Sequence, residues 1–209
     1  MLMFLTAAAL GVLVPVATGE FHYFQPSERP GALADLIRPT NEHPAAAVAY
    51  FTIDSGFVIA FVLVFVGLFS ITRLRAPEFA VFALGAGIWT GVMDAVENGI
   101  YWGYAMRALT GVRLAEFDIP LLPLLSNLKM IGFFATYLTF ALILPRRDWL
   151  ERVAAVVMLL PPTVGLVSVA VRDLGDVRPL LIALPSVPLA LVFARAWFAR
   201  TEPPDPVSS

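Results

Sequence analysis

Long apolar runs separated by short polar turns set the pattern of this chain. About 20 apolar residues folded as a helix match the hydrocarbon thickness of a bilayer. Segments of roughly that kind are Leu2–Ala17, Ala46–Ile71, Glu78–Tyr104, Ile119–Leu144, Leu150–Val171 and Leu180–Phe198. Two of the turns between them are tight and basic, Thr72-Arg73-Leu74-Arg75-Ala76-Pro77 and Pro145-Arg146-Arg147-Asp148. The predicted fold class is an all-α integral membrane protein, a bundle of six transmembrane helices forming one domain over residues 1–200. The first run has a second reading, as a signal peptide with Ala17-Thr18-Gly19 as its small-residue cleavage site, which would leave five helices. No Lys or Arg precedes that run, which favours the helix.

Residues 20–45 form a polar outer loop. Phe21, His22, Tyr23 and Phe24 suit a membrane–water interface. Leu33, Leu36 and Ile37 fall at i, i+3 and i+4 between Pro30 and Pro39. That spacing predicts a short amphipathic helix, stopped by Pro39, lying on the membrane or over the end of the bundle. An irregular loop is the other reading. Pro161-Pro162 is expected to kink or break the fifth span, and Pro185 and Pro188 to interrupt the sixth. Residues 201–209 are Pro-rich and polar and read as a disordered tail.

The third span departs from its neighbours. Gly91–Tyr104 reads GVMDAVENGIYWGY, with Asp94, Glu97 and Asn98 inside an apolar stretch. These positions are i, i+3 and i+4, so they share one helix face. Span two carries Asp54 and span four carries Lys129. If the spans alternate in direction, all of these groups fall in one layer, roughly 10–15 Å below the outer surface at 1.5 Å per residue. Ionisable groups at membrane depth face the protein interior or a water-filled cavity and mark a candidate functional site.

Charge sharpens that reading. Three carboxyls against one ammonium leave a formal −2, which is costly in a low-dielectric layer. A protonated carboxyl, a bound cation or amine, water, or a loop arginine such as Arg107 or Arg113 could compensate, and at least one of the three acids is expected to be neutral at pH 7. Asp54, Asp94, Glu97 and Lys129 are the candidate catalytic residues. Asn98 and Ser126 are candidates to bind substrate by hydrogen bonds. Phe57, Tyr101, Phe133 and Tyr137, with Phe61 and Trp102, are expected to line an aromatic cavity. The leading functional reading is an intramembrane acid–base enzyme of isomerase, hydratase or cyclase type acting on a lipid-soluble substrate. Proton- or cation-coupled transport of a small solute is the second. The third is a structural role, with Asp94–Lys129 as an ion pair that fixes helix register.

Composition closes other routes. Charged residues make up 14% of the chain, against about 25% in soluble domains. The net charge is −2 and no basic cluster occurs, so nucleic acid is not an expected partner. With no cysteine there is no disulfide, thiol nucleophile or cysteine metal site. The two histidines, His22 and His43, show no metal-binding spacing, and the chain predicts no metal and no cofactor. The expected partners are the lipid bilayer and a lipid-soluble molecule or cation. Ala83, Gly87, Gly91, Ala95, Gly99 and Gly103 recur every four residues. This ridge lets helices approach closely, and Gly87, Gly91, Ala95 and Gly99 are a candidate homodimer face. Arg73, Arg75, Arg146, Arg147, Arg152, Arg195 and Arg200 lie on one side of the predicted bundle with few acids beside them. By the positive-inside rule that side is cytoplasmic, which puts both termini in the cytoplasm of a bacterial-type inner membrane.

Overall fold

A computed structural model describes residues 32–115, 121–170 and 184–201. Among them the chain is helical, with no strand. The helices are α1 (Ala32–Glu42), α2 (Pro44–Thr72), α3 (Pro77–Leu109), α4 (Leu122–Ile143), α5 (Trp149–Ala170) and α6 (Ser186–Thr201). Leu2–Ala17, the aromatic run Phe21–Phe24 and residues 202–209 lie outside the described residues.

Local chemistry explains the boundaries. Pro44 and Pro77 open α2 and α3, where a proline's missing N–H is not needed. Glu78 in the first turn of α3 and Arg107 in its last complement the helix dipole. α3 extends to Leu109, five residues past the expected end at Tyr104. Its stop is Gly111, whose φ of 89° is a left-handed conformation that favours glycine. Gly111 N–H donates to Ala108 O at 3.0 Å and Val112 N–H to Arg107 O at 3.1 Å, the pairing of a Schellman motif. Asp148 caps α5, accepting from Glu151 N–H at 3.0 Å, while the Glu151 carboxylate accepts from Arg147 N–H at 2.7 Å.

The prolines end fewer helices than their number implies. α1 runs through Pro39 to Glu42, and Pro39 O accepts from His43 N–H at 2.8 Å. Pro39 removes only one donor, to the carbonyl four residues back, and its ring is buried. α5 is likewise continuous through Pro161-Pro162 and does not break there. Both rings are buried, so packing supports the turn that has lost its hydrogen bonds. Pro185 precedes α6 and Pro188 sits in its first turn, so neither interrupts it.

Helices consecutive in sequence pack as neighbours, from α2 to α6, and α2 also touches α4. Among the described residues, three segments are long and apolar enough to cross a membrane: Pro44–Thr72, Pro77–Leu109 and Leu124–Ile143. Their outward faces are apolar, with Ile59, Leu63, Phe79, Phe82 and Ile131 all exposed. Inside, Phe61, Phe65, Phe133, Tyr137 and Phe140 stack edge to face and in parallel, at centroid separations from 4.5 Å (Phe133–Tyr137) to 6.4 Å (Phe65–Phe140). α1 closes one end of the bundle. Ile37 packs in a cluster with Ala47, Phe51, Tyr101 and Leu114. Asn41 both donates to Leu114 O at 3.2 Å and accepts from Leu114 N–H at 2.8 Å. At the other end Arg195 of α6 reaches Asp148 and, at 3.1 Å, Glu151 at the start of α5.

The small-residue ridge winds as its four-residue step requires. A methyl added at Gly87 would lie 2.5 Å from the Phe65 ring, and one at Gly91 2.5 Å from Val62, so both glycines seat α2. Ala95 and Gly99 are exposed. Across the other seam Gly132 of α4 is pressed against Thr90, Trp89 and the Ala86 carbonyl. Gly132→Leu is therefore expected to lower the melting temperature of detergent-solubilised protein sharply. A methyl at Gly99 meets nothing within 4 Å, so Gly99→Ala is expected to stabilise slightly, by up to ~1 kcal/mol from helix propensity. Thermal unfolding of the two variants beside wild type checks both signs.

Candidate functional site

The seam between α3 and α4 carries the polar chemistry. Gly132 lets α4 approach closely enough for Thr90 Oγ1 of α3 to lie 3.4 Å from Lys129 O. Lys129 is one turn before Gly132, and Asp94 is one turn after Thr90. Close backbone approach thus carries the lysine onto the acidic face of α3. Lys129 Nζ donates to Asp94 Oδ1 at 2.9 Å and also to Glu97 Oε2. One ammonium therefore holds two carboxylates, and the side chains are only 14% (Lys129), 10% (Asp94) and 3% (Glu97) exposed. Tyr101, one turn further along α3, donates from its hydroxyl to Glu97 Oε1 at 3.4 Å. Its ring stacks on Phe51 of α2 at 4.8 Å. Glu97 is thus held from both sides.

α2 contributes Asp54, which is 6% exposed. Its carboxyl lies within electrostatic reach of Asp94, Lys129 and Glu97, and the Asn98 side chain lies alongside it. Asn98 is 2% exposed, yet its Nδ2 is a buried polar atom with no hydrogen-bond partner. Buried amide donors are normally satisfied, and the acceptor within reach of this one is the Asp54 carboxyl, at less than ideal geometry.

The structure brings Asp54, Asp94, Glu97, Asn98 and Lys129 from three helices into one group. It does not bring all the other predicted residues there. Ser126 is half-buried and makes no hydrogen bond to the group. Phe133 and Tyr137 are buried against each other and against Phe65, as core packing, and half-buried Phe57 rests on Phe61. Trp102 is 44% exposed and faces outward, because it is next in sequence to the buried Tyr101 and so about 100° around the helix. Arg107 and Arg113 are exposed at the end of α3 and do not supply the missing positive charge. Thr90 and Gly132 are the positions that residue-by-residue reasoning missed. Their signal is a glycine three residues after Lys129, on the lysine's own face. His43 lies between α1 and α2, away from the charged layer. No group of three or more His, Cys, Asp or Glu side chains suited to a metal occurs among the described residues.

The arrangement has two parts with different chemistry. The Lys129 clasp is a buried, doubly satisfied ion pair that locks α3 to α4. Asp54 and Asn98 lie outside the clasp, a carboxyl without its own cation beside a side-chain amide. Comparison with protein-family models, with curated proteins and with solved structures finds no match.

Removing the lysine is expected to strand two carboxylates. Lys129→Met should cost roughly 3–5 kcal/mol near neutral pH. Acidification, which protonates the stranded acids, should narrow the deficit. Asp94→Asn should cost clearly less, because Glu97 still neutralises Lys129. Unfolding of the purified variants across pH 5 to 9 measures the order; equal losses for both would mean that Glu97 does not share the ammonium.

Proposed function

We propose that this chain is a multi-pass integral membrane protein whose site performs acid–base chemistry on a lipid-soluble molecule. The apolar outward faces of α2, α3 and α4 support the membrane setting, since an aqueous surface rarely exposes apolar area of this extent. The basic turns at Arg73, Arg75, Arg146 and Arg147 support an orientation with that end in the cytoplasm.

One observation carries the chemical reading: a single lysine bonds two of three buried carboxyls and leaves the third, Asp54, without a cation of its own. A purely structural clasp needs only Lys129 and its two acids. Asp54 has no part in those bonds and sits at the same level on a different helix. In our reading Asp54 is the proton-transferring group, taking a proton from one atom of the substrate and returning it to another. Lys129, Asp94 and Glu97 are the fixed electrostatic frame, and Tyr101 positions Glu97. A preorganised array of charges in a dry layer acts strongly because little solvent screens it. Proton return to a different carbon gives an isomer, with no net gain or loss of atoms.

Such chemistry leaves an isotopic trace. Protein reconstituted in nanodiscs and incubated with a membrane lipid extract in deuterated water is expected to place deuterium on carbon in a subset of lipid-soluble species, detected by mass spectrometry. Asp54→Asn should abolish that label while leaving the protein folded. Proteoliposomes that carry a pH-driven flux lost in Asp54→Asn, with no deuterated species from wild type, would turn the assignment from catalysis to proton-coupled transport.

A further inference from the structure

The basic end of the bundle gathers charge in a second place. Three guanidinium groups from three segments meet at the C-terminal end of α4. Arg75, in the turn between α2 and α3, donates from Nη1 to Leu144 O at 3.2 Å. Arg146, just past α4, donates from Nη2 to Ala141 O at 3.4 Å, and Arg152 of α5 donates from Nε to Arg146 O at 3.4 Å. Carbonyls at a helix C-terminus attract cations, which explains how like charges come together here. Each guanidinium has five N–H donors and spends one of them in these bonds. All three residues are exposed, as are Arg73 and Arg147. The acids nearby are engaged elsewhere. Asp148 and Glu151 are held by Arg195 and by backbone N–H groups. Glu78, exposed in the first turn of α3, joins no arginine in an ion pair among the described residues. With Arg195 counted, six arginines at this end face only these three acids.

We infer that Arg75, Arg146 and Arg152 form a docking site for the headgroup phosphate of an anionic phospholipid. Arginine forks match phosphate oxygens in geometry as well as charge. The surroundings favour a lipid over a free anion. Leu74, between Arg73 and Arg75, is 91% exposed, and Trp149, two residues after Arg147, is 72% exposed. Phe79 in the first turn of α3 and Leu142 in the last turn of α4 are exposed too. Apolar and aromatic side chains beside exposed arginines match the headgroup level of a bilayer, where tryptophan rings sit and basic residues meet anionic lipid. A soluble anion gains nothing from Leu74, Leu142 or Trp149, whereas acyl chains and glycerol do. The inference rests on the membrane setting proposed above and is independent of the acid–base chemistry.

Lipid retention tests the site. Protein is released from nanodiscs holding equal parts of phosphatidylcholine and phosphatidylglycerol, and the lipid it keeps is read by native mass spectrometry. The expected result is preferential, saturable retention of phosphatidylglycerol, whose phosphate is not neutralised by a cation of its own. Arg146→Gln should weaken that retention about fivefold, the share of one basic residue at an anionic surface. Arg146→Lys, which keeps the charge but loses the fork, should retain less than wild type and serves if Arg146→Gln unfolds. Arg107→Gln, exposed at the far end of α3, should leave retention unchanged. Melting in phosphatidylcholine alone should be the same for wild type and Arg146→Gln, with only wild type stabilised by phosphatidylglycerol. Equal retention of the two lipids by wild type, or undiminished retention by both Arg146 variants, would overturn the inference. Inorganic phosphate that raises the melting temperature as far as phosphatidylglycerol does would make this a free-anion site and overturn it equally. A chain that does not enter nanodiscs at all would remove the membrane setting beneath it.

Discussion

The bond of one lysine to two acids is the constraint on which the rest of this structure depends. Lys129 cannot be left alone in that buried seam, and neither can Asp94 or Glu97. Once α3 and α4 are both buried in an apolar setting, pairing these side chains is the arrangement that avoids stranded charge. The pairing fixes the vertical register of the two helices, and Gly132 against Thr90 fixes their separation. α2 is then seated by a different device, the shallow surface at Gly87 and Gly91 under Phe65 and Val62. Its position follows, and with it the position of Asp54.

Polar and apolar layers divide the work along the bundle. The aromatic group around Phe65 and Tyr137 supplies contact area and rigidity between α2 and α4. The charged layer lies beside it, towards the end closed by α1. Tyr101 joins the two kinds of packing, stacking its ring on Phe51 and donating its hydroxyl to Glu97. A site held in this way has few free rotamers. That favours chemistry needing fixed charges and disfavours large rearrangement of the lysine and its acids. Asp54 and Asn98 are the buried members outside the clasp.

The two ends of the bundle are finished by local hydrogen bonding. The Schellman turn at Gly111 and the Asn41–Leu114 pair close the end near α1. Asp148, Glu151 and Arg195 close the other, where Arg75 also donates to Leu144 O at 3.2 Å. These contacts convert turn sequences into tight connections, and tight connections keep consecutive helices adjacent. Adjacency in turn makes alternation of direction, and therefore a common layer, the natural outcome for residues on α2, α3 and α4.

Much of this was legible in the residues alone. Hydrophobic run length specified α2, α3 and α4 to within a few positions, because transfer of apolar side chains depends on length and composition and hardly on neighbours. The i, i+3, i+4 spacing of Asp94, Glu97 and Asn98 put them on one face, and the depth of Asp54 and Lys129 put them at one level. Tertiary structure alone decided who pairs with whom. The sequence could not say that Lys129 takes both Asp94 and Glu97, since that depends on how close α4 comes at Gly132. Nor could it say that Asn98 lies against Asp54, that Trp102 turns outward, or that Phe133 and Tyr137 serve as core. The prolines end fewer helices than their sequence positions imply for a related reason. Pro39 and Pro161-Pro162 weaken a helix locally, but whether it ends there is settled by burial of the rings among neighbouring helices, a property no single segment contains.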